Sequence, residues 1–271
     1  MRGAGVARAL RAFPSLLRVG VAEAVAYRAE FVVWLLTTTM PLIMLALWGE
    51  VAREGGPLGG FSGADFTAYF LAAFVVRQLT GVWVAWDMNR EIREGLISMR
   101  LLRPIHPLVA YAAENLAVLP MRLLLSLPVA LAALFIAGRD HVTHDPALLG
   151  LFCLSTAGAW LLGFGLMATI GALAFFIESS LAVADLWFGL FFVCSGYFVP
   201  LSLFPAWLRP TLDLLPFRAM LGLPVELLIG RLGRAEALHG LAIELFWILA
   251  CWALALFVFG AGARRYSAYG A

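Results

Sequence analysis

Residues 87–107 read DMNREIREGLISMRLLRPIHP, and this charged stretch separates two long apolar runs. It holds four Arg, two Glu and one Asp, which makes it the largest polar surface between two predicted spans. Four of its residues recur at spacings of three or four, namely Ile92, Leu96, Met99 and Arg103. That spacing predicts a short helix, which two prolines then end. We expect a soluble partner to bind here; the alternative is a positively charged loop that only sets the orientation of the chain.

The composition places the chain in a membrane. Apolar residues make up 63% of it and charged residues 13%, whereas soluble domains are about one quarter charged. The mean hydropathy is +0.92, and several apolar runs reach about 20 residues, the length of a spanning helix. We therefore predict an all-α polytopic membrane protein in which residues 1–271 form a single transmembrane domain.

The type and number of the basic residues argue against two functions, phosphate binding by a P-loop and nucleic-acid binding. All 19 are Arg, and a phosphate-binding P-loop requires Lys, so this chain cannot carry one. We expect no cofactor in this chain, and any ATP and Mg²⁺ must be bound by a partner ATPase. The net charge of +2 is too small to indicate nucleic-acid binding.

Six spans are predicted, at 31–48, 66–86, 108–137, 147–177, 181–202 and 240–263. Residues 1–30 combine five Arg with apolar residues at helical spacing, which predicts an amphipathic interfacial helix; the alternative is a basic leader that orients the chain. An even number of spans puts both termini on one side. Eleven Arg fall in residues 1–30, the 87–107 loop and the C-terminal tail, against six in the opposite loops, so that side is predicted to be cytoplasmic.

Residues 203–239 form an unusual outer segment. It is too apolar for a solvated loop and too often interrupted by Pro for a spanning helix. Two short helices that enter the membrane and return, a re-entrant hairpin, satisfy both facts, provided that protein covers the irregular backbone.

The sequence gives little support for a metal site or for a disulfide bond. Cys153, Cys194 and Cys251 all lie in apolar runs, so we interpret them as packing residues. The pair His141 and His144 lies in a short polar turn with no rigid helix beneath it, and an outer hydrophilic turn is the better interpretation.

Several polar residues fall inside the predicted spans. Arg77 lies beside Gln78 in span two, Arg122 in span three and Asp185 in span five. An unpaired charge there costs at least about 2.5–3.5 kcal/mol, so we expect Arg77 or Arg122 to pair with Glu114 or Asp185. These groups either line a polar path through the membrane, or they are structural pairs and Arg side chains that reach the interface.

Span four has Gly158, Gly163, Gly165 and Gly171 among Ala and Thr. Small residues let helices approach closely in lipid. The close approach is either within one subunit or across a dimer.

Two patterns together resemble the ABC-2 type permeases, the membrane subunits of type-2 ABC exporters. Gly95–Leu96 followed by Leu101–Ile105 is similar to the inner loop of the branch that holds multidrug and daunorubicin-resistance-like exporters. Ser195–Pro200, followed by Phe204–Pro205 and Leu215–Phe217, resembles the outer re-entrant signature of that branch. The order of the predicted elements extends the resemblance over essentially the whole chain.

The resemblance implies a partnership. Two permease subunits, identical or paralogous, would pair with two ATPase subunits in a bacterial inner membrane. Residues 87–107 would be the coupling helix that sits in a cleft of the ATPase. The implied coupling residues are Asp87, Arg90, Glu91, Arg93, Glu94, Gly95, Arg100 and Arg103.

The resemblance also implies export of an amphipathic substrate: a drug, an antibiotic, a lipid-like molecule or a peptide. We expect the path to follow the interface between two permeases, lined by spans two and five. The candidate path residues are Arg77, Gln78, Arg122, Asp185, Gly189, Gly196 and Tyr197. The alternative function is a stand-alone secondary transporter or channel. An intramembrane enzyme is the weakest candidate, since the predicted spans contain no His to act as a base.

Overall fold

The computed structural model describes residues 12–19, 21–22, 39–137 and 141–266. It is 79% helical, and the described residues form no strand, which confirms the all-α prediction. Among them, three helical stretches are long and apolar enough to span a membrane: Gly63–Arg93, Pro146–Phe175 and Arg234–Arg265. A fourth is added if the bent pair Pro107–Leu124 and Ser126–Ala132 counts as one span. The six-span count stays a prediction.

We number the helices in chain order. They are α1 (12–19), α2 (Met40–Gly55), α3 (Gly63–Thr80), α4 (Val84–Arg93), α5 (Ile97–Leu101), α6 (Pro107–Ala117), α7 (Leu119–Ala137), α8 (Pro146–Ala172), α9 (Ser180–Cys194), α10 (Arg209–Leu214), α11 (Pro216–Met220), α12 (Gly222–Leu228) and α13 (Arg234–Arg265). Short 3₁₀ turns follow at Leu173–Phe175 and Leu201–Leu203.

Three predicted spans differ from the observed helices. Span two is interrupted at residues 81–83, between α3 and α4. Span three bends by 45° and contains Pro128 inside α7. Span five was expected to continue to residue 202, but α9 ends at Cys194, where the chain turns at Gly196 with a φ of +91°. The first eight residues of span one lie outside the described part of the chain.

Over the residues that the structure describes, helix α1 has one half-buried side and one exposed side. Phe13, Leu16 and Leu17 are half-buried, whereas Ser15 and Arg18 are exposed. This is the pattern of an amphipathic helix. The rest of the segment 1–30 lies outside the described residues, and its position at the membrane surface stays a prediction.

The hub of the bundle is α8. It carries no charged residue, and α13, α4, α12, α11, α9 and α3 all pack against it. Four of its five glycines face other helices of the same chain, and Gly150 has nothing within 4 Å of an added Cβ. Gly158 and Gly165 face α13, Gly163 faces α11, and Gly171 faces α4, where an added Cβ would lie 2.9 Å from Met88 Cβ. The close approaches left open by the sequence are therefore made within the subunit.

Helices α8 and α13 run side by side in the same direction. Arg234 Nη2 lies 2.8 Å from Asp145 Oδ2 at their first turns. Trp252 Nε1 donates to the Leu161 carbonyl at 3.0 Å near their middle. Each contact joins residues about 90 positions apart, so the two helices keep one register. Successive spans cross a membrane in alternating directions, so two spans that are separated by one other span run parallel.

Polar caps start α3, α8 and α13 at one end of the bundle. Ser62 and Asp65 form a reciprocal capping box on α3, the Asp145 side chain accepts from Ala147 N on α8, and Glu236 accepts from Gly233 N on α13. Such caps satisfy backbone N–H groups that have no partner inside the helix. We call this the cap end of the bundle.

The segments that connect the helices lie in two groups, one at the cap end and one at the opposite end of the bundle. At the cap end, Arg231 Nη2 lies 2.9 Å from Asp65 Oδ1, and Thr143 N donates to the Leu228 carbonyl at 2.9 Å. At the opposite end, the His106 and Phe259 rings are in contact at a tilt of 51°, with centroids 5.4 Å apart. The loops meet in the two groups that the predicted topology requires; the side that each group faces stays a prediction.

The segment 203–239 contains three short helices, α10 to α12, where two were expected. Pro210 and Pro216 stand in the first turns of α10 and α11, where a missing N–H costs no hydrogen bond. Helices α11 and α12 are buried against α8, whereas α10 is largely exposed. The Arg218 guanidinium bonds Glu226 at 2.7 Å, which compensates the charge of that buried segment.

Candidate functional site

The charged segment 87–103 folds as two helices with a sharp turn between them. Helix α4 ends at Arg93, and α5 begins at Ile97. Gly95 has a φ of +80° in this turn, a conformation that costs other residues about 1–2 kcal/mol. The prediction of one short helix carrying Ile92, Leu96, Met99 and Arg103 is wrong, because the turn at Gly95 divides this stretch between α4 and α5.

Arg100 is the centre of a network that fastens α5 to α4 and α6. Its Nε bonds Glu91 Oε2 at 2.6 Å, and its Nη1 bonds Glu114 Oε1 at 2.7 Å. The Tyr111 hydroxyl donates to Glu91 Oε2 at 2.6 Å, and the guanidinium lies 4.1 Å from the centroid of the Tyr111 ring. Burial lowers the pKa of Arg100, but the two carboxylates outweigh it and raise that pKa overall. The network therefore stays charged and intact at any physiological pH.

This network corrects one predicted pairing and assigns roles to two predicted coupling residues. Glu114 was expected to pair with an Arg inside a span, and it pairs instead with Arg100 of the loop. Glu91 and Arg100 were expected to face a partner, and the structure brings them together inside the protein, with only 12% and 15% of their side chains exposed.

The other side of the segment is open. Leu96, Met99 and Leu102 are 51%, 63% and 82% exposed, and we call these three residues the tip surface. Arg90, Arg93, Glu94 and Arg103 are exposed around it. Asp87 lies beside Arg90 at 3.6 Å, and Arg93 Nη2 donates to the Ile177 carbonyl at 2.6 Å. An exposed apolar surface rimmed by charge is typical of a protein–protein contact.

The break between α3 and α4 is held by two polar side chains. Arg122 Nη1 donates to the Gly81 carbonyl at 2.7 Å. Asn115 Oδ1 accepts from Trp83 N at 3.3 Å. Backbone groups freed inside a membrane need such partners, because lipid offers none. Arg122 thus contacts a backbone carbonyl in place of the expected carboxylate.

Four candidate path residues, Arg77, Gln78, Gly196 and Tyr197, are packed inside the bundle. The Arg77 guanidinium lies 5.2 Å from the centroid of the Phe191 ring and interacts with the Tyr197 hydroxyl, so its predicted pairing with Glu114 or Asp185 is wrong. The Tyr69 hydroxyl donates to the Gly196 carbonyl at 2.9 Å, and a side chain at Gly196 would collide with it. These contacts join α3 to α9 and the turn after it.

Asp185 and Gly189 lie on the outward side of α9. Asp185 is exposed and forms no ion pair within the described residues, so its predicted pairing with an Arg is wrong. Leu186, Leu190 and Val193 are also exposed on this helix. In a membrane this surface faces lipid or another subunit.

A family model described as ABC-2 family transporter protein matches residues 33–270. The chain belongs to the ABC-2 transporter family. It is therefore a multi-pass membrane permease. The family consists of membrane transport subunits. No curated protein and no solved structure matches the chain.

The described part of the permease holds no group of three or more His, Cys, Asp or Glu side chains that could bind a metal. His141 Nδ1 lies 3.4 Å from Asp65, and Asp145 is held by Arg234. The polar turn that carries His141 and Asp145 thus closes the cap end of the bundle.

Sequence reasoning missed one intramembrane residue of the permease, Glu244. It lies in α13, is 1% exposed, and both of its carboxyl oxygens are buried without a hydrogen-bond partner. The available signal was a single acidic residue inside the apolar run 240–263.

Proposed function

We propose that the permease is the membrane subunit of an ABC exporter and that a separate ATPase dimer drives it. The observation that carries this proposal is the tip surface, three exposed apolar side chains presented by a segment that Arg100 fastens to the bundle. The absence of Lys also supports it, since the energy source must then lie on another chain.

The network around Arg100 would transmit the motion of the ATPase. A cleft that pulls on the tip surface pulls α5, and the bonds of Arg100 to Glu91 and Glu114 carry that movement to α4 and α6. Arg93 extends the connection to the end of α8 through the Ile177 carbonyl. The segment would act as a rigid lever because its charges are bonded to the bundle.

We place the translocation path between α3 and α9, next to a second permease subunit that is identical or paralogous. Arg77 and Tyr197 lie at this contact and are covered in the present conformation. The exposed side of α9, with Asp185 and Gly189, is the surface we assign to the second subunit. Movement of α9 away from α3 would expose a mostly apolar wall, which suits an amphipathic drug, antibiotic, lipid-like molecule or peptide.

The proposed orientation puts both termini and the tip surface in the cytoplasm of a bacterial inner membrane, with the cap end outside. The excess of Arg in the terminal segments and the 87–107 loop supports this orientation. The motifs at Leu101–Ile105 and Ser195–Pro200 support membership of the multidrug and daunorubicin-resistance-like branch. The substrate would leave the inner leaflet or cytoplasm and emerge at the outer side.

The experiment is co-purification of the permease with its ATPase subunit, followed by substrate-stimulated ATP hydrolysis. Leu102→Asp should weaken ATPase binding about tenfold or more, since an apolar anchor of an interface is lost. Leu214→Asp is the matched control, because Leu214 is equally apolar and 61% exposed on α10 at the cap end. Equal ATPase binding by Leu102→Asp and the wild type would overturn the proposal.

One observation favours the alternative, a stand-alone secondary transporter or channel. The break at residues 81–83 interrupts a largely buried helix, and discontinuous helices hold the substrate sites of many secondary transporters. Vesicles that contain the permease without an ATPase separate the two functions. Substrate movement without ATP would support the alternative, whereas ATP-dependent accumulation in inside-out vesicles supports the exporter.

A further inference from the structure

Glu244 lies deep within the bundle. It follows Arg234, the first residue of α13, by ten positions, which is about 15 Å along the helix axis. Helix α13 has 32 residues, about 48 Å in length, so Glu244 lies in its cap-end half, inside the predicted span 240–263. Its carboxyl group is buried against α8, and neither oxygen has a hydrogen-bond partner.

The wall opposite Glu244 is shaped to receive its carboxyl group. A Cβ added at Gly158 would lie 2.6 Å from Glu244 Oε1 and 2.8 Å from Cδ, so only glycine leaves room. Ser155 precedes Gly158 by one turn of α8 and is fully buried. Its hydroxyl likewise has no hydrogen-bond partner in this arrangement, and it is the polar side chain that interacts with the carboxyl group.

No cation faces Glu244 from the described helices packed around it. Helix α8 carries no charged residue. On α11 and α12, Arg218 and Glu226 bond each other at 2.7 Å. The other charged residues and the histidine of α13 are near its ends: Arg234, Glu236, His239, Arg264 and Arg265. Its one further titratable residue, Cys251, follows Glu244 by seven positions and carries no positive charge.

An ionised carboxylate in this setting would be a buried charge without a counter-charge, which is strongly unfavourable. A metal cation does not resolve this, because hard cations need about six oxygen ligands and the site offers one carboxyl and one hydroxyl. A neutral carboxylic acid removes the unpaired charge. It can donate a hydrogen bond to Ser155 Oγ through its O–H group and accept one from the Ser155 hydroxyl through its carbonyl oxygen.

We propose that Glu244 and Ser155 form a proton-binding site within the membrane, in its half nearer the cap end, where Glu244 holds a proton as a neutral acid and bridges α13 to α8. The bound ligand is the proton itself. Loss of that proton would leave a charge that needs water, so the close contact between α8 and α13 at Gly158 depends on the occupied site. This inference does not depend on the ATPase or on the direction of transport.

Infrared spectroscopy of the full-length permease in lipid tests the proton directly. A protonated carboxylic acid has its own carbonyl stretching band, which shifts in D₂O. Glu244→Gln should remove one such band at neutral pH. Asp185→Asn should leave it unchanged, because Asp185 is an exposed acid in an equally apolar helix. A spectrum with no such band in the wild type, or with the band intact in Glu244→Gln, would overturn the proposal.

Thermal unfolding of the same variants supplies a second readout. The Gln side chain is neutral and has nearly the shape of the protonated acid, so Glu244→Gln should keep the midpoint of the wild type. Glu244→Ala should lower that midpoint, because it leaves a cavity and deprives Ser155 of its partner. A drop for Glu244→Gln as large as that for Glu244→Ala would mean that the wild-type group is ionised and paired, which contradicts the proposal.

Discussion

The two sides of the segment 87–103 differ in the kind of residue that builds them. On the inner side, Arg100 is bonded to Glu91 and Glu114 and is largely buried. On the outer side, the tip surface of Leu96, Met99 and Leu102 is exposed. The comparison teaches that charge in a cytoplasmic loop does not by itself identify partner contacts. Here charge builds the support, and the side chains left exposed for the proposed partner contact are apolar.

Removal of the inner-side cation should have the largest effect on stability. Arg100→Ala leaves two carboxylates close together and partly buried, and should lower the free energy of unfolding by about 3 kcal/mol. Denaturation of the permease in detergent measures this. Arg103→Ala is the control, since Arg103 is exposed and should change the free energy by less than about 0.5 kcal/mol. Equal losses for the two variants would remove the distinction between the sides.

Changes on the outer side should show the reverse pattern. The double variant Leu96→Ser, Met99→Ser should keep the free energy of unfolding within about 0.5 kcal/mol of the wild type, because both side chains are exposed. Its affinity for the ATPase should fall about tenfold or more. Denaturation and a binding assay on the same preparation check both statements. A large loss of stability with unchanged ATPase binding would reverse the assignment.

The turn that joins the two sides should have an intermediate effect. Gly95→Ala forces a side chain into a φ of +80° and should cost about 1 kcal/mol of unfolding free energy. Gly189→Ala is the matched control, because Gly189 is within helix α9 with nothing within 4 Å of an added Cβ. There, Ala should be neutral or stabilising by up to about 1 kcal/mol. A neutral Gly95→Ala would mean that the turn is not fixed by glycine.

The smallest effect is expected at the cap end, away from the segment. Hydrogen bonds from Arg234 and from Ala147 N lower the pKa of Asp145. A lowered carboxyl pKa stabilises the fold above the unfolded value of about 3.9 and loses that contribution as the pH falls. Asp145→Asn should therefore be slightly less stable at neutral pH and should approach the wild type in acid. A difference in melting temperature that grows as the pH falls would contradict this.

Much of the fold follows from local properties of the sequence. Apolar runs of spanning length predicted the all-α membrane class, and the even alternation of loops predicted which of them meet at each end. These features depend on the hydropathy of each segment and on the order of the segments along the chain. Four glycines of α8 were likewise noted in the sequence, although only the structure showed that they face helices of the same chain.

The pairing of polar groups could not be predicted in the same way. Glu114 is near Arg122 in sequence, yet it bonds Arg100, because the turn at Gly95 starts a separate helix α5 whose Arg100 reaches Glu114. Arg122 bonds a carbonyl that exists as a free acceptor only because span two is broken. Such partners depend on the packing of distant elements, so spacing along the chain carried no signal for them.

The most direct test of the central claim, that the tip surface contacts the ATPase, is site-specific cross-linking. A single cysteine in place of Met99, in a permease without Cys153, Cys194 and Cys251, would be treated with a short bifunctional maleimide in membranes that contain the ATPase. The account predicts a permease–ATPase cross-link at this position and none for a cysteine in place of Leu214 at the cap end. A cross-link from Leu214 in the absence of one from Met99 would contradict it.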